Sequence, residues 1–66
     1  MGKSLQEQMT DAQTNSFYHV LQLGYTFECI VNNVVYMRQY KSIREIDIDG
    51  FVCTISETQL ERAKNV

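Results

Sequence analysis

The sequence predicts an α+β fold: an N-terminal amphipathic helix packed on a small antiparallel sheet of two hairpins, about four strands, with a short C-terminal helix. Three observations predict it. Asp49-Gly50 sits between apolar flanks, a strong short-range hairpin signal. Asn32-Asn33 offers a second two-residue loop, because Asn tolerates the positive φ that both central residues need. Before Gly24 the apolar residues Leu5, Met9, Ala12, Phe17, Val20 and Leu21 recur near the 3.6-residue helical period.

Ser4-Leu5-Gln6-Glu7 fits a capping box, and Gly24 stands where a helix would end. Thr10-Asp11-Ala12-Gln13 is a second box, and Thr10 to Ser16 is rich in residues that prefer caps and turns. The ordered helix is therefore expected to begin near residue 11, with residues 1–10 frayed and Phe17 to Leu23 as the lid on the sheet.

The first hairpin pairs Val31 with Val34, Cys29 with Tyr36, Phe27 with Arg38 and Tyr25 with Tyr40. Those residues then share the core face, since alternate side chains point the same way. Ile30, Val35 and Met37 fall on the opposite face and need a cover. Lys41-Ser42 links the hairpins. The second pairs Ile48 with Phe51, Ile46 with Cys53 and Arg44 with Ile55, leaving Glu45, Asp47, Val52 and Thr54 toward solvent. Short consecutive connections favour a meander. Ser56 then caps a helix to about Lys64, with Gln59 at N3 and Ile55 stapled onto Leu60.

Sixty-six residues hold one domain, 1–66, and a chain this short buries only about 60% of its unfolded surface. An apolar fraction of 44% with 21% charged residues fits a folded domain. The net charge of −2 gives no general attraction to nucleic acid or anionic lipid. The longest apolar run, Val34 to Met37, is far short of the roughly 20 residues of a membrane span. The expectation is a cytoplasmic protein with no membrane partner, in which Cys29 and Cys53 are free, buried thiols.

His19, Cys29 and Cys53 lack the paired spacing of a zinc site, so no metal is expected. Glu45, Asp47 and Asp49 line one edge of the second hairpin, but Asp47-Ile48-Asp49-Gly50 lacks the closing Glu of a calcium loop. Those carboxylates read as a solvated face or an acidic docking patch. Arg38, Lys41 and Arg44, interleaved with Tyr36 and Tyr40, resemble a phosphate-and-base binder in composition. Against that, Tyr36, Tyr40 and Arg38 fall on the expected core face. There is no glycine-rich phosphate loop and no nucleophile elbow, so neither enzyme nor cofactor is expected.

The sequence therefore points to a non-enzymatic protein–protein interaction module, an inhibitor or accessory regulator of the size phages and mobile elements carry, acting as a homodimer. Its expected partner-binding residues are Glu45, Asp47, Asp49, Ile30, Val35 and Met37. The alternative is a nucleotide or nucleic-acid binder using Arg38, Tyr40, Lys41 and Arg44 with Tyr36.

Overall fold

The computed structural model describes Gly2 and residues 4–65; the expected domain's residues 1, 3 and 66 lie outside the described residues. The elements are α1 (Asp11–Gln22), β1 (Thr26–Val31), β2 (Val34–Gln39), β3 (Ser42–Ile46), β4 (Val52–Ile55) and α2 (Glu57–Lys64), after a single 3-10 turn at Gln6–Gln8. All neighbouring strands are antiparallel in the order β1-β2-β3-β4, a meander, and the fold is α+β as the sequence predicts.

Both helix starts follow from their capping residues. Thr10 Oγ1 accepts from the Gln13 amide while Gln13 Oε1 accepts from the Thr10 amide, and Ser56 and Gln59 repeat the exchange at α2. Two orphan donors are satisfied at each helix, which is why the helices begin where they do. Ser4 Oγ accepts from the Glu7 amide, but that cap supports only the 3-10 turn. Within 4–10, Leu5 and Met9 pack against the core.

The sheet is covered on both faces. α1 lies on one, where Phe17 and Val20 pack with Tyr25, Val35, Met37 and Ile46. On the other, Leu60 of α2 packs with Tyr36 and Ile43, and Cys29, Val31, Val34, Ile55 and Ala63 surround them. The unmet need assigned to Ile30, Val35 and Met37 is therefore met within the chain. Val35 and Met37 are fully buried, and half-buried Ile30 packs beside them.

Two register expectations are corrected. The first hairpin keeps Val31 opposite Val34 and Cys29 opposite Tyr36, then shifts by one residue, with Phe27 opposite Met37 and Thr26 opposite Arg38. The β-bulge at Glu28 moves Tyr25 and Phe27 from the α2 face to the α1 face, where the Phe27 ring lies 6.4 Å from that of Phe17. Arg38 and Tyr40 lose their expected partners for the same reason.

The second hairpin pairs Ile46 with Val52, Glu45 with Cys53, Arg44 with Thr54 and Ile43 with Ile55. This is one residue out of the expected register. The expectation assumed one buried face; with helices on both, Ile43 and Ile46 are each buried on opposite sides, and alternation no longer selects the register. The turn decides instead. Gly50 N–H donates to the Asp47 carbonyl and Asp47 N–H to that of Phe51, closing a three-residue loop with Gly50 at φ +85°. The first turn is as expected, with Asn32 and Asn33 at φ 51° and 68°. The second link is Tyr40-Lys41, with Ser42 already in β3.

Candidate functional site

The loop between β3 and β4 is held from three directions. The Asp47 carboxylate accepts from the amides of Asp49 and Phe51 at 2.9 and 3.0 Å. From α1 and its cap, Thr10 Oγ1 donates to the Ile48 carbonyl and Ser16 Oγ to that of Gly50. A Cβ on Gly50 would stand 2.8 Å from the Ala12 carbonyl oxygen, so glycine is what lets the loop seat on the helix. Beneath it Gln13, fully buried, donates from Nε2 to the carbonyls of Asn33 and Ile46 and ties the two loops at this end of the sheet to α1.

From that fixed frame two large apolar side chains point outward: Ile48 is 52% exposed and Phe51 69%. β4, directly after Phe51, is an edge strand. The run Phe51-Val52-Cys53-Thr54-Ile55-Ser56 carries no charge. Cys53 and Thr54 are exposed, which corrects the expectation that both thiols are buried. Cys29 is half-buried, and burial pushes its thiol above the ordinary range.

The expected acidic patch is taken apart. Asp47 is committed to its loop, Glu45 faces the α2 side beside Tyr36 and Cys53, and Asp49 sits exposed at the tip. Sequence reasoning missed Ile48 and Phe51 because it paired them with each other in a tighter turn. A signal was present: an Asp two residues before an Asp-Gly turn can cap the loop itself.

The residues of the nucleotide alternative do not converge. Arg38 is opposite Ile43 and Arg44 opposite Met37, which puts the two guanidinium groups on opposite faces. Arg38 is paired through Nε to Glu28 at 2.6 Å and through Nη2 to Glu57 at 2.9 Å, and donates from Nη1 to the Tyr40 carbonyl. The bond from Arg38 holds the Glu57 carboxyl below the usual carboxylate range. Arg44 lies over the Tyr25 ring, 5.0 Å from its centroid, and donates to its hydroxyl. The bond to Ser42, followed by that from Arg44 and the guanidinium charge, holds the Tyr25 hydroxyl below the usual phenol range despite burial. Tyr36 is buried, while Tyr40 is 91% exposed beside exposed Lys41 at the opposite end of the sheet from Phe51.

Among the described residues no group of three or more His, Cys, Asp or Glu is placed to hold a metal ion. His19 is exposed on α1. Two surface depressions have mainly polar linings, one formed by Ser4, Gln6, Glu7, Asp11, Thr14 and Asn15 and the other by Glu7, Gln8, Ile30, Asn32 and Asn33. No helix among the described residues is long and apolar enough to cross a membrane. No known family model, curated protein or solved structure matches the chain.

Proposed function

We propose that this chain is a non-enzymatic protein-binding module that takes an extended strand of its partner along β4, with Phe51 and Ile48 as apolar anchors at one end. The observation that carries the reading is the pinned β3–β4 loop, which presents both side chains from a preset frame beside an uncharged sheet edge. Four hydrogen bonds with Asp47, Thr10 and Ser16 hold the loop within the chain itself, which lowers the ordering cost of binding. Backbone pairing along an edge supplies affinity, and alternate side chains supply specificity. Large apolar anchors of this kind are where binding energy concentrates. An inhibitor or accessory regulator in a reducing, cytoplasmic setting is the role that fits such a surface together with two free thiols.

The test is capture from the cytoplasm of the source cell on the immobilised chain, comparing wild type with Phe51→Asp. A protein retained by wild type and lost with Phe51→Asp, at unchanged circular dichroism, is the expected result. Retention indifferent to Phe51 would remove this surface from the account.

A further inference from the structure

We infer that the strand received by β4 is β4 of a second copy, giving a continuous eight-stranded antiparallel sheet with both α1 helices on one face and both α2 helices on the other. The inference rests on the binding-module reading above and names its partner. It comes from which backbone groups of β4 are free. The Phe51 carbonyl accepts from Asp47 and so points inward to β3. In an antiparallel ladder the direction alternates, so Cys53 and Ile55 also point inward, while the N–H and C=O groups of Val52 and Thr54 point out from the sheet.

Those four outward groups determine how two copies meet. Val52 of one chain exchanges both bonds with Thr54 of the other, and the symmetric pair does the same. Cys53 then faces Cys53 across the two-fold axis in a non-hydrogen-bonded pair, where Cα atoms stand about 4.5 Å apart. The side chains agree with this register. By alternation Phe51, Cys53 and Ile55 share the α2 face, so exposed Phe51 of each copy comes to rest against half-buried Ile55 of the other. No charge lies in the paired segment. The two copies of Glu45 on β3, which face each other across Cys53, are separated by three strand spacings, about 14 Å, beyond the screening length at physiological salt.

Among the described residues, the chain after Ser56 turns back over the sheet, where Glu57 already reaches Arg38 on β2, and Glu7 and Gln8 lie beside Ile30 and Asn32 at the β1–β2 turn. The other edge is unsuited to the same use, because β1 carries the Glu28 bulge and its charge.

Sedimentation equilibrium and native mass spectrometry of the full chain in reductant test the inference. The expected species is a dimer of twice 7.7 kDa. Thr54→Pro removes an outward donor without touching the β3–β4 ladder, and Cys53→Lys places two positive charges at the axis. Each should weaken the dimer by about tenfold or more at unchanged circular dichroism, as loss of a central contact does. If Thr54→Pro fails to fold, Cys53→Lys carries the test alone. With diamide, which takes up the two electrons and two protons released as two thiols join, the wild-type dimer should crosslink, and peptide mapping should find Cys53 joined to Cys53. A chain that stays monomeric at high micromolar concentration, or a dimer indifferent to both variants, overturns the inference. A monomer that captures a different protein through Phe51 overturns it too, but leaves the binding-module reading standing.

Discussion

Tyr40 occupies the backbone region least suited to it. Its φ of 55° lies in the left-handed range, where an L-residue other than Gly or Asn is disfavoured by roughly 1–2 kcal/mol, and its ring is 91% exposed, so packing returns nothing. The turn is held instead by its backbone, through the Arg38 bond to the Tyr40 carbonyl. Tyr40→Asn should therefore raise stability by about 0.5–1 kcal/mol in urea denaturation with an unchanged slope on denaturant; a loss would mean that the ring has a contact in solution. The contrast with Asn32-Asn33 is instructive. There the residue types announce the turn, whereas at Tyr40 the turn is imposed by the pairing of Gln39 with Ser42 and no residue type signals it. Gln13 was equally illegible, since a glutamine on an amphipathic helix reads as solvent-facing until the two carbonyls that it serves are brought together by the fold.

At the scale of elements, the capping sets at Thr10 and Ser56 were legible because a cap is written within four consecutive residues. Strand register was only half legible. It depends on which face is buried, and α2, eight residues long, gives the sheet a second buried face through Leu60 and the Glu57–Arg38 pair. The docking of α2 should be sensitive to acid. A carboxylate held below its ordinary value stabilises the fold above its unfolded pKa, about 4.3, and that contribution is lost as pH falls through the lower folded-state value. Thermal melts of wild type and Glu57→Gln should thus differ most near neutrality and converge in acid below about pH 4. A gap in Tm that is constant with pH would show that the pair does not anchor the helix.

For the whole molecule, the parts of the candidate site visible in the sequence were its residue types and not their grouping. Arg38 and Arg44 are six positions apart, yet the meander turns them to opposite faces; Thr10 and Ile48 are distant in sequence, yet the fold joins them. The two thiols offer a test of the inferred pairing. In dilute solution Cys53, exposed, should react with iodoacetamide several-fold faster than Cys29, which is half-buried and whose thiol is pushed up by burial. As concentration rises the Cys53 rate should fall while that of Cys29 stays fixed. Parallel changes at both would point to general unfolding or aggregation instead.

The bulge at Glu28 has a bearing on how far association can proceed. A sheet with two open sides can add neighbours without end, as fibrils do. In the pairing inferred through β4, only that side takes a neighbour and joining consumes it in both molecules, while the opposite strand is bulged and carries a charge. Under that inference the chain has a valence of one: growth would stop at the pair, and deleting the bulged residue is the change that would turn a terminating monomer into a chain-extending one.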